Sequence, residues 1–176
     1  MPVRSFLLCL LSVVLFACSS ADYHRMVPNN ADRIAPTHQP LTVLPVKTSI
    51  RQTVSAPLEM ATYTSALKAA MEKTGLFSRV QSEPVEKGFQ LETSMTMQKL
   101  RLDDRVVHFE MTVRYAFVNR HNQVVFITDI RSHCSKSPSD HLVGATRERS
   151  AIECGVKKNL TSLMDQIYTR QHQFAK

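Results

Sequence analysis

The feature of this sequence that most constrains its fold is the regular alternation of apolar and polar side chains along two long neighbouring segments. A period of two residues is typical of a β-strand that buries one face and exposes the other to water. The positions that share the predicted buried face are Phe89, Leu91, Thr93, Met95 and Met97 in the first segment and Val107, Phe109, Met111, Val113, Tyr115 and Phe117 in the second. We therefore expect two long, half-buried strands.

Two further strands are predicted on either side of this pair. Val124 to Ile130 follows a hairpin turn at Asn119 to Gln123 and is apolar on both faces, which favours a more covered position. Leu41 to Val46 is also predicted to be a strand. Because Pro45 lacks a backbone donor, this first strand is expected at a sheet edge or a bulge.

Two segments show a helical period, from about Leu58 to Lys73 and from about Gly144 or Thr146 to Tyr168. The element order is thus β-α-β-β-β-α. It predicts an α+β fold, a two-layer sandwich whose mostly antiparallel sheet carries both helices on one face and leaves the other exposed. Several strand orders are compatible with this pattern.

The N-terminal residues 1–17 have the layout of a secretory signal peptide, with Arg4 before an apolar run that is too short to span a bilayer. The sequence Leu15-Phe16-Ala17-Cys18 closes this segment and resembles the lipobox of bacterial lipoproteins. The resemblance implies cleavage before Cys18 and a lipid anchor, palmitate included, on that cysteine. An ordinary secreted protein in which Cys18 is incidental is the alternative.

The residue after Cys18 indicates which of the two membranes would hold the protein. In the lipoproteins that this motif resembles, aspartate at that position holds the protein at the inner membrane, and here it is Ser19. The resemblance therefore implies an outer-membrane lipoprotein whose domain faces the periplasm. Residues 18–40 contain scattered prolines and asparagines and predict a flexible tether with a reach of roughly 25 Å. Residues 41–176 are then expected to form a single domain.

The charge of the chain is basic but dispersed. The formal net charge of +7 includes Arg4 of the leader, so the mature chain carries one positive charge fewer. No basic run is long enough for a nucleic-acid arm, and four glycines with no phosphate-binding motif argue against a nucleotide cofactor. The basic residues are either a solvated surface or a source of attraction to anionic lipid headgroups or an acidic partner.

Two cysteines besides Cys18 remain in the mature chain, and the implied compartment is oxidising. Cys134 falls in a polar segment, 133–140, which is expected to be a loop, and Cys154 falls off the apolar stripe of the last helix. We predict a Cys134–Cys154 disulfide that pins the loop to the helix, with a stabilisation of about 3 kcal/mol. A metal set of these cysteines with His133 and His141 matches no compact zinc pattern, so no metal is expected.

No constellation of residues predicts catalysis. His108 and Glu110 share the solvent-exposed face of one strand. The serines of segment 132–139 lack the flanking glycines of a nucleophile elbow. Catalytic acids and bases need a cleft that shifts their pKa values, which a flat polar sheet face does not offer. The sequence therefore predicts a protein that is not an enzyme.

Two stretches carry a further family resemblance. ALKAAMEKTGLFSRV in the first helix and GATRERSAIECGVKKNL in the last look like small uncharacterised proteobacterial lipoproteins over most of residues 41–170. More distantly, the element order is similar to the lipopolysaccharide-assembly lipoprotein and to auxiliary lipoproteins of lipid-trafficking ABC transporters. This resemblance implies a non-enzymatic accessory or assembly subunit with an envelope protein partner.

A periplasmic lipid or lipopolysaccharide-binding lipoprotein is the alternative function. The sequence contains eight methionines, and such side chains adapt to varied apolar ligands. They fill either the core or an acyl-chain groove between the helices and the sheet.

Overall fold

The computed structural model describes residues 21–29, 36–48, 58–84 and 87–174 and shows an α+β fold. The predicted signal peptide and Cys18 lie outside the described residues. The strands are β1 (Leu41–Val43), β2 (Lys47–Thr48), β3 (Val80–Gln81), β4 (Phe89–Asp103), β5 (Val106–Val118) and β6 (Val124–Lys136). The helices are α1 (Tyr23–Met26), α2 (Met60–Lys73), α3 (Gly144–Thr169) and a 3-10 helix at Gln171–Phe174.

The six strands form one mixed sheet in the order β3-β1-β4-β5-β6, and β2 also pairs with β4. β4, β5 and β6 form an antiparallel meander, whereas β1 pairs in parallel with β3 and β4, and β2 pairs in parallel with β4. The prediction of a mostly antiparallel sheet was therefore wrong. The crossover through α2 brings the chain back to the end of the sheet from which β1 started, so the next strand lies parallel to β1.

The long strand β4 contains a bulge that changes which side chains are buried. Met95 pairs with Val113 but Met97 pairs with Thr112, so Thr96 is an extra residue. A one-residue insertion moves every later side chain to the opposite face. As a result Gln98, expected to be wet, lies on the helix side opposite Met111 and is buried, whereas Met97 is half-buried.

Both long helices cover the same face of the sheet. The predicted apolar stripes of α2 and α3 are buried in a core that they share with the inward residues of β4, β5 and β6. α3 lies close to β5 at Gly155, where an added Cβ would collide with the ring of Phe109. The two-layer arrangement thus depends on a glycine that lets helix and sheet approach each other.

An aromatic cluster fills the core where both long helices end. Phe174 of the 3-10 helix lies with its ring centroid 5.1 Å from that of Phe117 and 5.8 Å from that of Phe77. Phe89 and Phe126 complete the cluster at 5.4 and 6.5 Å from Phe174. The C-terminal residues therefore close one end of the core, and both α2 and α3 run toward that end.

Residues 21–29, here called the strap, lie in the segment expected to be a flexible tether. Met26 and Val27 of the strap are instead buried in the core, and the neighbouring Ala21 and Tyr23 pack against it. Burial of these apolar side chains against the helices stabilises the fold. The proline and asparagine content of the segment did not indicate this packing. The division of the chain into leader, tether and domain at residues 17 and 40 stays a prediction.

Candidate functional site

The uncovered face of the sheet, here called the open face, carries a ladder of charged side chains. Arg114 of β5 donates from Nε and Nη2 to both carboxylate oxygens of Asp129 on β6, at 2.8 Å each. These bonds hold the pKa of Asp129 below its ordinary value and raise that of Arg114. Glu110 lies between Arg101 at 4.0 Å and Arg131 at 3.4 Å. The face is a solvated pattern of alternating charges.

A histidine pair lies at one end of the same face. The β5–β6 register places His108 opposite Ser135, whose Oγ is 2.8 Å from Nδ1 of His108 and 3.0 Å from Nε2 of His133. The serine hydroxyl can donate to only one of these imidazoles at a time. These side chains stand on an exposed sheet face rather than in a cleft, a setting that does not activate a nucleophile. The absence of enzymatic activity stays a prediction.

The predicted disulfide between Cys134 and Cys154 is present, with the two Cα atoms 5.9 Å apart. Its setting differs from the prediction, because β6 extends to Lys136 and Cys134 is a buried residue of that strand rather than part of a loop. The inward alternation of Ile130, Ser132 and Cys134 continues the strand beyond Ile130. The disulfide therefore links the last strand of the sheet to α3.

A groove of about 620 Å³ lies beside this disulfide, between β6 and α3. Its basic lining residues are Arg131, His133, Lys157 and Lys158, and Thr161 and Ser162 add hydroxyl groups. Donors and positive charges without a lining carboxylate suit a phosphate or another anionic group. This groove is a candidate binding site.

The same part of β6 is a sheet edge whose backbone is capped by α3. Lys158 Nζ donates to the carbonyl of His133 at 3.1 Å, and Asn159 Nδ2 donates to the carbonyl of Ile130 at 2.9 Å. A covered edge cannot readily accept another strand. Strand addition at this stretch of β6 is therefore opposed by the structure.

A buried polar network behind this edge was not found by sequence reasoning. The hydroxyls of Tyr63 and Tyr115 bond each other, and that of Tyr115 donates to Oδ1 of Asn159. All three residues are fully buried, and burial raises the pKa of both tyrosines well above the ordinary value. Asn159 gave no signal in the sequence except as a polar residue directly before Leu160 on the apolar stripe of α3.

The metal set weighed from the sequence does not assemble. Cys134 and Cys154 are bonded to each other, so neither can act as a thiolate ligand. Within the ranges that the structure describes, no three His, Cys, Asp or Glu side chains are grouped to hold a metal ion.

Among the helices of the described ranges, none is both long enough and apolar enough to cross a bilayer.

Comparisons with known proteins show the fold. No family model and no curated protein matches this chain. Among solved structures, protein XCC0632 from Xanthomonas campestris, of the DUF330 family, has a TM-score of 0.61 at 13% identity over 84% of this chain and 92% of its own. A minor lipoprotein from Acinetobacter baumannii has a TM-score of 0.54 at 11% identity, over 78% of this chain and 96% of its own. The hypothetical protein CT253 from Chlamydia trachomatis has a TM-score of 0.53 at 11% identity, over 79% of this chain and 98% of its own.

Proposed function

We propose that this protein is a bacterial lipoprotein, acylated at Cys18 and held at the outer membrane with its domain in the periplasm, where it acts as a non-enzymatic accessory or assembly subunit of an envelope complex. The lipobox-like sequence at Cys18 supports the anchor. The fold, shared with a protein described as a lipoprotein, supports the class. The more distant resemblance to lipopolysaccharide-assembly and transporter-auxiliary lipoproteins stays a prediction.

The proposed docking role is supported mainly by the open face. Arg114, Asp129, Glu110 and Arg131 form ordered ion pairs on adjacent strands, and no described element covers them. An ordered pattern of charges gives register and specificity to a partner with the complementary pattern. The partner expected here is a protein of the envelope.

Site-specific photo-crosslinking in cells tests this role. A photoreactive residue at Thr112, in the middle of the open face, should yield one defined adduct with an envelope protein. The same residue at Ser65, exposed on α2, is the matched control and should not yield that adduct. Equal labelling at the two positions, or no adduct at Thr112, would overturn the docking role.

A mass measurement tests the anchor separately. The mature chain should begin at Cys18 and carry the mass of its acyl chains, and Cys18→Ala should remain unprocessed and unacylated. An unmodified Cys18 in the wild-type chain would contradict the anchor without reference to any partner.

A second function, lipid or lipopolysaccharide binding, is favoured by the basic groove beside Cys154. The site differs from the one first expected, because the described helix–sheet interface is filled by core side chains. The full chain, purified in mild detergent, should retain phosphate-bearing lipid in native mass spectrometry. Lys157→Glu should lose it, whereas Lys68→Glu on α2 should keep it, because Lys157 lines the groove and Lys68 does not.

A further inference from the structure

The strap is attached to α3 at one defined place. The backbone N–H of Asp22 donates to Oε1 of Glu153 at 3.0 Å, and Nε of Arg149 donates to the same oxygen at 2.9 Å. The Glu153 side chain is only 8% exposed. A nearly buried carboxylate with these donors is a strong and specific attachment. The chain therefore enters the domain at Glu153.

The distance from the anchor to this attachment is short. Cys18 precedes Asp22 by four residues, which span at most about 14 Å when fully extended. A free tether up to residue 40 would have a reach of roughly 25 Å. Acyl chains on Cys18 would therefore hold the Glu153 region at the membrane rather than leave the domain at a distance.

The direction of the strap shows which end of the molecule faces the anchor. Its far end is bound by Lys73 at the end of α2, where Nζ donates to the carbonyl of Pro28 at 3.3 Å. Both long helices run toward the Phe174 cluster, so Lys73 lies toward that cluster and Glu153 lies nearer the start of α3. Gly144, the first residue of α3, is about 14 Å from Glu153 along the helix axis.

That end of the molecule, where α3 begins, carries exposed aliphatic side chains. Leu142 is 89% exposed and Val143 is 64% exposed, directly before α3. Leu102, 69% exposed, lies at the same end because it pairs with Val107, which pairs with Lys136 at the end of β6. Val143 also occupies the N-cap of α3, a position that prefers a polar side chain. Its apolar character has no explanation inside the domain.

These side chains are held in place. Nη1 of Arg147 donates to the carbonyls of His141 and Leu142 at 2.8 and 2.7 Å, which orders the loop before α3. The charges around Leu102 offset one another, since Arg101 and Arg105 neighbour Asp103 and Asp104. The surface fits insertion of apolar side chains better than attraction to a charged partner.

We infer that the domain docks directly on the lipid surface through this end, with Leu142, Val143 and Leu102 entering the boundary between headgroups and acyl chains. Exposed aliphatic residues beside a lipid anchor add a second membrane contact and give the domain one orientation. This inference rests on the proposed acylation of Cys18. The Arg114–Asp129 part of the open face lies farther along β5 and β6 from this end.

Tryptophan fluorescence tests the docking, because the chain contains no tryptophan. The full acylated chain carrying Leu142→Trp is reconstituted in phosphatidylethanolamine and phosphatidylglycerol vesicles that contain a shallow nitroxide-labelled lipid. Ile127→Trp is the matched control, since Ile127 is a 55% exposed aliphatic residue on the open face. We expect several-fold stronger quenching at position 142 than at 127, with little dependence on salt.

The outcomes separate the docking from the anchor. Mass analysis is made on the same reconstituted protein. If Cys18 is acylated and quenching at 142 is no stronger than at 127, the docking is overturned and the anchor stands. If Cys18 carries no acyl chain, both fail.

The variant Glu153→Ala, with its fold checked by circular dichroism, should release the strap and lower the quenching at position 142 toward the control value. Unchanged strong quenching would show that the strap does not orient the domain.

Discussion

The two faces of the sheet are built from alternate residues of the same three strands, but different interactions stabilise them. The covered face consists mainly of aromatic and aliphatic side chains, with a buried hydrogen-bond network around Asn159. The open face consists of ion pairs such as Arg114–Asp129 that remain about half exposed. Since burial of apolar area dominates stability and exposed ion pairs contribute little, the covered face carries the fold and the open face is available for recognition.

The largest expected contrast compares one aromatic residue on the covered face with one aliphatic residue on the open face. Phe117→Ala removes a fully buried ring that packs on Phe77, Phe126 and Phe174, and should lower the free energy of unfolding by about 3–5 kcal/mol. Ile127→Ala, on the open face, should cost less than about 0.5 kcal/mol. Urea unfolding of both variants measures the difference. Similar losses of unfolding free energy in the two variants would contradict the different roles of the two faces.

The disulfide should give the next largest effect. Replacing Cys134 and Cys154 together by alanine should lower the free energy of unfolding by about 3 kcal/mol, because the reduced unfolded chain gains freedom over the 20-residue separation. Urea unfolding of the oxidised wild-type chain against the double variant measures it. Two reactive thiols from these positions in the denatured, unreduced protein would refute the premise.

A smaller effect is expected from the buried network. Asn159→Ala removes the donor to the carbonyl of Ile130 and the acceptor of the Tyr115 hydroxyl, which keeps only its bond to Tyr63, and should cost about 1–3 kcal/mol. Ser162→Ala, on the groove side of the same helix, is the control and should be nearly neutral. If the two variants unfold at the same urea concentration, the network does not contribute to the stability of the covered face.

The smallest effect is expected on the open face and should depend on pH. The bonds from Arg114 lower the pKa of Asp129 from 3.8, so the pair stabilises the fold above that pH and this contribution is lost as pH falls through the lower folded pKa. Because the pair is half exposed, its contribution to the free energy of unfolding should be the smallest of these effects. The unfolding free energies of wild type and Asp129→Asn should differ slightly at pH 7 and converge as the pH falls well below 3.8. If the difference in unfolding free energy between the two proteins grows as the pH falls, this prediction is contradicted.

Three residues show where prediction from the sequence stopped. Met97 followed the alternation of its segment, but the bulge at Thr96 moved it off the buried face, and nothing in the local pattern marks an inserted residue. Cys134 was placed in a loop because its neighbours are polar, whereas a strand with one wet face tolerates polar neighbours. Glu153 looked like an ordinary charged residue of α3, and its role depends on the remote Asp22.

Local periodicity was enough to indicate the two long helices, the three long strands and most of the residues on their buried faces. These follow from repeats of 2 and 3.6 residues, which operate over short stretches of chain. Only the tertiary structure decided the parallel pairing of β1 with β4, the groove beside the disulfide and the attachment of the strap to α3. Each of these joins residues far apart in sequence, and contacts of that kind leave no period in the chain for a pattern to reveal.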